Sequence, residues 1–371
     1  MNEINNFNLF LQHKSEERQA KGLLRTLVYN ENKVDFSSND YFGFSKSNAY
    51  ELPKNESGYG GTGSRSITGN CKEAEIAEKT IAKFHKQEAA LIYNSGYMAN
   101  VGLFSCIASK GDTYISDEYV HASIIDGMRL SHANRIKFKH NNTEDLEKKL
   151  RQTEGRKFVA IESVYSMDGD EAPLNAIAKL CKTYNALLIV DEAHATGIFG
   201  NKGEGLVCEN NLENEVFACI YTFGKAIGLH GAAITGSHAL RNYLINHSRS
   251  FIFTTALPPQ SYMQINKAYA LLPIANRKGL SELIAYFGNE INKKEGITFI
   301  KSNSPIQAII IGDNFKAKAL EAHLSIKGFF IRAILSPSVP IGKERLRVCL
   351  HAFNTKAQID SLLTEIKYFL G

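Results

Sequence analysis

The sequence predicts an α/β protein that has a mostly parallel sheet in a large domain and a smaller α+β domain at its C-terminus. The chain has 371 residues, a length that suits one large domain and one smaller domain. From about residue 89, short apolar runs alternate with segments of helical period, as in parallel sheets with crossover helices. This alternation changes near the paired prolines Pro258 and Pro259, which predict a boundary there.

Seven apolar runs are the predicted strands of the large sheet, and helices are expected on both of its faces. In chain order the runs are "AALIYN", "DTYISD", "RIKFKH", "KFVAIESVY", "ALLIVDEAH", "VFACIYTFGK" and "GAAITGS". The segments with helical spacing include "GYMANVGLFSCIA", "TEDLEKKLRQ" and "LNAIAKLCKTYN". Thr143 is a candidate N-cap for the second of these helices.

The C-terminal part begins with a helical run near Gln260 and continues with strand-like runs. These runs are "ITFIKS", "IQAIIIGD", "GFFIRAIL" and "RLRVCLHAF". A last helix follows, with its apolar residues on one stripe: Ile359, Leu362, Leu363, Ile366, Phe369 and Leu370. The predicted organisation is therefore an N-terminal arm at 1–45, a large α/β domain at 46–258 and an α+β domain at 259–371.

Composition and charge exclude several classes of protein. The net charge of +5 is small and its basic residues are interspersed with acids, which does not favour nucleic-acid binding. No stretch approaches the ~20 apolar residues of a membrane span, and the N-terminus lacks the features of a signal peptide, so a cytoplasmic location is expected. The six cysteines are scattered without a C-x-x-C pair, which argues for reduced thiols and against a metal site.

Two motifs would mislead if they were interpreted alone. "GYGGTG", from Gly58 to Gly63, matches a dinucleotide fingerprint, but a polar segment precedes it where a strand is required. "DEAH", from Asp191 to His194, resembles the magnesium site of a helicase family, but the chain has no phosphate-binding G-x-x-x-x-G-K-[ST] loop. A nucleotide hydrolase and a dinucleotide enzyme are both disfavoured.

A different constellation surrounds the same acid. Asp191 ends one apolar run, His194 follows it, and Lys225 ends the next run between two glycines. The carboxyl ends of neighbouring parallel strands meet at one crevice, so Asp191 and Lys225 are expected to share it. A lysine that binds covalently and a carboxylate that holds a pyridine nitrogen protonated are what pyridoxal phosphate (PLP) requires. His121 is a candidate for stacking on the ring, and Thr222 for binding the phosphate.

The ordered motifs identify a resemblance. From "FSSNDYFGFS" to "LRVCLHAF" the chain resembles the α-oxoamine synthases, a branch of the fold-type I PLP-dependent transferases with the aspartate aminotransferase-like fold. The motifs "NSGYMAN", "YVHAS", "ESVYSMDGDEAPL", "VDEAHATG", "YTFGKAIG" and "FTTALPP" occur in the order of that family. The resemblance implies PLP as cofactor, an amino acid and an acyl thioester as substrates, and a homodimer with a shared active site.

The resemblance also implies a role for each matching residue. Lys225 matches the lysine that binds the cofactor, Asp191 the partner of the pyridine nitrogen, and His121 the stacking histidine. His194 and Ser166 match residues near the phenolic oxygen of the cofactor, and Glu162 matches an acid that supports the site.

Further matches concern the phosphate and the amino acid. The implied phosphate contacts are the backbone at Gly96 and Tyr97, the Thr222 hydroxyl, and Thr254 or Thr255 from a second subunit, with the choice between the two left open. Arg347 matches the arginine that holds the carboxylate of the amino acid, and Asn39 matches its amide helper.

Within the family, "SMDGDEAPL", "GLLRTL" and "IQAIIIGDN" look most like the branch that joins alanine to a pimeloyl thioester. Arg25 would then contact the distal carboxylate of the acyl chain, which is carried on coenzyme A or on a carrier protein. Other branches use glycine with short acyl groups or serine with a long one, and a non-catalytic relative is a further alternative. The segment "GNCKEAE" departs from the family, because Ala74 or Glu75 stands where many relatives have a histidine.

Overall fold

The structure is a computed structural model that describes residues 2–30, 32–51 and 60–371. Gly58 and Tyr59, the first two residues of the glycine-rich motif, lie outside the described residues. None of the helices in the described part of the chain is long and apolar enough to cross a membrane.

Helices and strands alternate along most of the chain. The α-helices are α1 (Glu3–Ala20), α2 (Lys72–Phe84), α3 (Gly96–Cys106), α4 (Ala122–Leu130), α5 (Thr143–Gln152), α6 (Leu174–Thr183), α7 (Leu206–Glu209), α8 (His238–His247), α9 (Arg249–Ile252), α10 (Pro259–Leu271), α11 (Arg277–Asn292), α12 (Asn314–Ile326) and α13 (Lys356–Leu370). The strands are β1 (Val34–Asp35), β2 (Ala89–Tyr93), β3 (Thr113–Asp117), β4 (Asn134–Phe138), β5 (Lys157–Glu162), β6 (Ala186–Asp191), β7 (Ala218–Thr222), β8 (Ala232–Gly236), β9 (Thr298–Ile300), β10 (Ile306–Ile310), β11 (Phe329–Phe330), β12 (Arg332–Ile334) and β13 (Arg345–Cys349).

The large sheet contains all seven predicted strands, in the order β2-β8-β7-β6-β5-β3-β4. The pairs β3/β4, β3/β5, β5/β6 and β6/β7 are parallel, whereas β8 runs antiparallel to both of its neighbours. The predicted mostly parallel sheet is therefore confirmed. Its parallel strands end at the same edge, and this edge carries the candidate site.

The central strands are apolar on both faces, which explains why they appear in the sequence as continuous runs. Along β5, Phe158 and Ala160 pack into one hydrophobic core, while Val159 and Ile161 pack into the core on the opposite face. Each of these side chains is at most 2% exposed. Burial of one large apolar side chain contributes about 1.5–3 kcal/mol, so helices on both faces stabilise the sheet.

The start of α5 differs from the sequence prediction. Asn142, and not Thr143, is the N-cap residue, and its side chain accepts a hydrogen bond from the backbone N–H of Asp145. Thr143 is the first helical residue. Asn and Thr both serve as N-caps, so the residue type of Thr143 alone did not fix the start of the helix.

Two compact units divide the chain. One comprises Met1–Ser38, Met167–Gly169 and Lys278–Gly371, and the other comprises Asn39–Ser166 and Asp170–Arg277. The second unit holds the large sheet. The predicted domain boundaries at residues 45 and 258 stay a prediction.

The smaller unit is built on an antiparallel sheet. Its four strands have the order β12-β13-β10-β9, and β1 pairs separately with β11 in parallel. The last helix, α13, buries Ile359, Leu362, Leu363 and Ile366, four residues of the predicted stripe. The predicted α+β character of the C-terminal region is confirmed.

Candidate active site

A cavity of about 310 Å³ lies at the carboxyl ends of the parallel strands in the larger unit. Parallel strands that end at one edge bring their last side chains together there. Ten of the predicted site residues line this cavity: Asn39, Gly96, Tyr97, His121, Glu162, Ser166, Asp191, His194, Thr222 and Lys225.

Strand register places the acids and the lysine in adjacent positions. Glu162 at the end of β5 lies opposite Asp191 at the end of β6, and Asp191 lies opposite Ile220 on β7. Lys225 follows the end of β7 on a turn, and it lines the same cavity. The short glycine-flanked segment after Thr222 therefore delivers an amine to the edge at which the carboxylates end.

Asp191 is 5% exposed and its carboxylate is held by two donors. The backbone N–H of Ala193 donates to Oδ1 at 3.0 Å, and the Asn100 amide donates to Oδ2 at 2.8 Å. Hydrogen bonds of this kind stabilise the charged form of a carboxylate. Asn100 is a residue that the sequence analysis missed, although it lies within "NSGYMAN".

Glu162 is a second buried acid in the cavity, 3% exposed. Burial raises the pKa of Glu162 to about 8, and the neighbouring Asp191 carboxylate adds to the rise. Lys225 and the backbone N–H groups of His121 and Ser166 oppose this rise in pKa. At pH 7 Glu162 is therefore mostly protonated.

His121 caps the N-terminus of α4 and faces the cavity. Its Nδ1 accepts a hydrogen bond from the backbone N–H of Ser123 and lies 2.7 Å from the Ser123 hydroxyl. Desolvation of the ring by the surrounding protein atoms lowers the pKa of His121. The Asp191 carboxylate opposes this change, and the positive charge of Lys225 adds to it. His121 is therefore neutral at pH 7.

His194 connects the cavity to the segment near residue 40. Its Nδ1 lies 2.8 Å from the hydroxyl of Tyr41, and that hydroxyl donates to the Asn39 side chain at 3.4 Å. Tyr41 is fully buried and His194 is 4% exposed. Asn39 and His194 were predicted from the sequence, whereas Tyr41 was not, although its position within "SSNDY" close to Asn39 was an available signal.

The N-terminus of α3 and Thr222 form a polar cradle at one end of the cavity. Ser95 is the N-cap of α3, and the first N–H groups of a helix have no acceptor within that helix. The Thr222 hydroxyl is buried and has no hydrogen-bond partner among the described residues. A Cβ on Gly96 would lie 2.5 Å from the Thr222 methyl group, so any larger residue would displace the Thr222 side chain.

This cradle, together with the rest of the cavity, fits PLP. A helix N-terminus and an unpartnered buried hydroxyl match a phosphate group. Lys225 supplies the amine, Asp191 a carboxylate for the pyridine nitrogen, and His121 a ring at the cavity wall.

Four predicted residues do not line the cavity: Thr254, Thr255, Arg347 and Arg25. Thr254 accepts a hydrogen bond from the Asn94 amide at 3.3 Å, and the same amide donates to the Thr255 carbonyl at 2.8 Å. Neither threonine lines the cavity of its own chain. In the other unit, Arg347 lies half-buried on β13, and Arg25 lies exposed in the coil after α1.

The glycine-rich loop has a structural explanation. A Cβ on Gly61 would lie 2.2 Å from the Ala256 carbonyl oxygen, and the Ala256 N–H donates to the Gly63 carbonyl at 2.9 Å. The glycines therefore allow this loop to pack closely on the backbone at 255–256.

Comparisons with known proteins agree with this site. The family model for aminotransferase class I and II matches residues 31–366. An 8-amino-7-oxononanoate synthase of Lysinibacillus sphaericus is 40% identical over 340 residues, which cover 90% of this chain and 87% of that protein. An enzyme of the same name from Emericella nidulans is also 40% identical, over 97% of this chain and 95% of its own.

Solved structures show the same fold. A serine palmitoyltransferase from S. paucimobilis, solved with a bound PLP–myriocin adduct, has a TM-score of 0.90 at 27% identity and covers 100% of this chain and 98% of its own. The 8-amino-7-oxononanoate synthase of Francisella tularensis has a TM-score of 0.80 at 30% identity, over 91% of this chain and 98% of its own.

The fold, the cavity and the model match show that the chain belongs to the aminotransferase class I and II family, with the fold-type I transferase fold that the sequence predicted. Within that family it is an α-oxoamine synthase, the branch that the ordered motifs indicated.

Proposed function

We propose that the protein is an 8-amino-7-oxononanoate synthase. In this reaction L-alanine and a pimeloyl thioester give 8-amino-7-oxononanoate, carbon dioxide and the free thiol. A carbon–carbon bond forms between the α-carbon of alanine and the acyl carbonyl carbon, the carbon–sulfur bond breaks, and the alanine carboxyl group leaves as carbon dioxide.

The observation that carries this proposal is the arrangement of Lys225 and Asp191 at adjacent strand ends, in a chain 40% identical to enzymes of that name. The arrangement supports PLP chemistry, and the identity supports this particular pair of substrates.

The cofactor is PLP, which when bound supplies an electron sink for negative charge that develops at the α-carbon. Lys225 would hold it covalently, and Asp191 would keep a proton on its ring nitrogen. Asn100 and the Ala193 N–H fix the Asp191 carboxylate in position for that proton. The first N–H groups of α3 and the Thr222 hydroxyl would bind the phosphate, and the His121 ring would stack on the cofactor.

Proton transfer at the α-carbon is the role of the Lys225 amine. With alanine bound, the Nζ atom of Lys225 would accept the α-proton and later return a proton to the product carbon. His194, held by Tyr41, and Ser166 would orient the phenolic oxygen of the cofactor. Protonated Glu162 would support the site without adding a second negative charge beside Asp191.

Two arginines would recognise the carboxylates of the substrates. Arg347, assisted by Asn39, would hold the carboxylate of alanine through a planar guanidinium. Arg25 would hold the distal carboxylate of the pimeloyl chain. We expect Arg25→Gln to raise KM for a pimeloyl thioester and to leave KM for the uncharged heptanoyl thioester unchanged, with Arg18→Gln on α1 as the matched control. An equal rise for both thioesters would remove Arg25 from this role.

A second candidate is serine palmitoyltransferase activity. The serine palmitoyltransferase structure has the higher TM-score, 0.90 against 0.80, although its sequence identity is lower. Fold similarity measures the backbone, whereas substrate choice depends on individual side chains, so sequence identity receives more weight here.

Thiol release by the purified enzyme tests these functions together. Alanine, glycine and serine are each combined with pimeloyl, acetyl and palmitoyl thioesters of coenzyme A, and Lys225→Ala is the blank. The proposal predicts release only with alanine and pimeloyl. Release with serine and palmitoyl would establish the second candidate, release with glycine and acetyl would indicate glycine C-acetyltransferase activity, and no release with any pair, on coenzyme A or on a carrier protein, would favour a non-catalytic relative.

We further propose a cytoplasmic homodimer in which Thr254 or Thr255 reaches the phosphate in the partner's site. The positions of both hydroxyls away from their own cavity support this arrangement. Subunits carrying Lys225→Ala are mixed with subunits carrying Thr254→Ala, and separately with Thr255→Ala. Random mixing makes half of the dimers hybrids, each with one intact site of two, so the mixture should recover about a quarter of wild-type activity when the correct threonine is tested. Light scattering that gives a monomer, or mixtures that recover nothing, would contradict a shared site.

A further inference from the structure

Four side chains in the larger unit form a continuous hydrogen-bond chain beneath the cavity. The Asn100 amide nitrogen lies 2.8 Å from Oδ2 of Asp191 and 3.0 Å from the Ser123 hydroxyl oxygen. The Ser123 hydroxyl lies 2.7 Å from Nδ1 of His121. Asn100 is 2% exposed and Ser123 is fully buried, so water does not compete for the bond between these two residues.

The donors and acceptors in this chain have only one consistent direction. A carboxylate accepts hydrogen bonds, so the amide group of Asn100 that faces Asp191 must be the nitrogen, since a flipped amide would set oxygen against oxygen. The second N–H of the same nitrogen then donates to the oxygen of Ser123. The hydroxyl hydrogen of Ser123 is left to donate to Nδ1 of His121.

A second donor reaches the same ring nitrogen independently. The backbone N–H of Ser123 donates to Nδ1 of His121 at 3.2 Å. A backbone N–H cannot accept a hydrogen bond, so this longer contact also favours an Nδ1 that carries no proton. Both contacts assign the ring proton of His121 to Nε2. The lowered pKa of His121, caused by the surrounding protein atoms, agrees with a neutral ring.

We propose that Asn100 and Ser123 are positioning residues that fix His121 as the neutral tautomer protonated at Nε2, and that couple this tautomer to the Asp191 carboxylate. His121 then presents to the cavity a neutral ring with one N–H donor, which is suited to an acceptor atom of a bound ligand. A cationic ring would instead repel Lys225 and the protonated pyridine nitrogen of PLP. The inference rests on the proposed function only for the identity of that ligand.

The test is ¹⁵N NMR of the histidine ring nitrogens in the holoenzyme at pH 7, with ¹⁵N-labelled histidine. His121→Gln identifies the His121 signals by their loss. The chain has 11 histidines, and His140 serves as an internal reference because its two ring nitrogens both contact carboxylates. The proposal predicts an unprotonated Nδ1 and a protonated Nε2 for His121, and two protonated nitrogens for His140. A protonated Nδ1 at His121 in the wild-type enzyme would overturn it, whatever the variants do.

Variants of Ser123 and Asn100 test whether the hydrogen-bond chain, and not packing alone, fixes the tautomer of His121. In Ser123→Ala the hydroxyl donor is lost, and in Asn100→Ala the Ser123 oxygen loses the N–H that it accepts, so the hydroxyl is free to rotate and to accept from Nδ1 instead. We expect both variants to shift the His121 signals toward a mixture of tautomers, and Ser123→Thr, which keeps the hydroxyl, to restore the wild-type pattern. If the wild-type pattern persisted in both alanine variants, a role of Ser123 and Asn100 in fixing the His121 tautomer would be excluded. Because the readout is a ring proton and not turnover, a wrong substrate assignment would leave this result intact.

Discussion

Two histidines that follow neighbouring strands of the same sheet have opposite properties. His121 follows β3, contacts one serine through Nδ1 and has a lowered pKa. His140 follows β4, and its ring nitrogens lie 3.0 Å from Asp117 and 2.8 Å from Asp170. Burial alone would lower the pKa of His140, but the hydrogen bonds to the two carboxylates outweigh it and raise this pKa to about 9.

The difference teaches that position at the functional edge of a sheet does not define a functional residue. His140 is enclosed by its partners: its ring stacks on Tyr119 at 4.5 Å between centroids and meets Tyr165 edge to face. His121 instead borders a cavity of about 310 Å³, whose lining also includes the Thr222 hydroxyl, which has no partner in the described part of the chain. A ring that borders a cavity can contact a ligand, whereas both ring nitrogens of His140 are already engaged by carboxylates.

Replacing one aspartate with asparagine in each region should give the largest difference between the two regions, in kcat for one variant and in stability for the other. We expect Asp191→Asn to lower kcat by about 10²–10³-fold, because the charge beside the pyridine nitrogen is lost, while the melting temperature changes little. Asp117 is fully buried and accepts hydrogen bonds from Tyr119, His140 and Asn141. Asp117→Asn should instead destabilise the protein by about 3 kcal/mol and leave the kcat of the folded fraction nearly unchanged.

Steady-state kinetics and thermal unfolding of both variants check this contrast. Equal losses of kcat in the two variants, or an Asp117→Asn protein as stable as the wild type, would contradict the assignment of Asp191 to catalysis and of Asp117 to stability.

The next largest effect is expected on stability, through the charge of His140. The direction of its pH dependence follows from the raised pKa of this histidine. The stabilising contribution is fully present below pH 6.5, the ordinary value, and is lost as the pH rises through about 9. His140→Gln should therefore lower the free energy of unfolding by about 2 kcal/mol at pH 6 and by much less at pH 10. Urea unfolding at both pH values measures this difference. A deficit that is independent of pH would mean that His140 acts through packing and not through charge.

Gly96 tests whether the cavity beside Thr222 binds the cofactor. The Cβ of Gly96→Ala would meet the Thr222 methyl at 2.5 Å, so PLP should bind about tenfold more weakly. Thr222→Ser removes this methyl group and keeps the hydroxyl, so the double variant should recover most of the affinity. Fluorescence titration of the apoenzyme with PLP measures the effect. If the double variant binds no better than Gly96→Ala, the clash with Thr222 is not the cause.

The smallest effect is expected at Glu162. Since its pKa is raised to about 8, the side chain is a neutral acid at pH 6.5, and glutamine has nearly the same shape and charge. Glu162→Gln should therefore change kcat by less than about tenfold at that pH. A much larger loss would show that the ionised carboxylate is required.

Much of the fold and part of the site followed from the sequence. Central strands such as β5 and β6 appear as continuous apolar runs because both faces are buried, whereas β4 at the sheet edge is mostly exposed. Asp191 and Lys225 stand out because each follows such an apolar run. Strand ends converge in any parallel sheet, so their shared cavity was predictable without side-chain detail.

What the sequence did not reveal depends on partners that are distant in the chain. His140 ends the predicted strand "RIKFKH", but its charge depends on Asp117 and Asp170, 23 and 30 residues away. Tyr41 and His194 are 153 residues apart, and Asn100 and Asp191 are 91 apart. No local spacing encodes such contacts.

The central claim is that the cavity at the strand ends binds PLP through Lys225. Borohydride reduction of the purified holoenzyme, followed by peptide mass mapping, tests it most directly. We expect a single pyridoxyl group on the peptide that contains Lys225, and none on the matching peptide of Lys225→Ala. A pyridoxyl group on another lysine, or none in the wild-type protein after saturation with PLP, would contradict it.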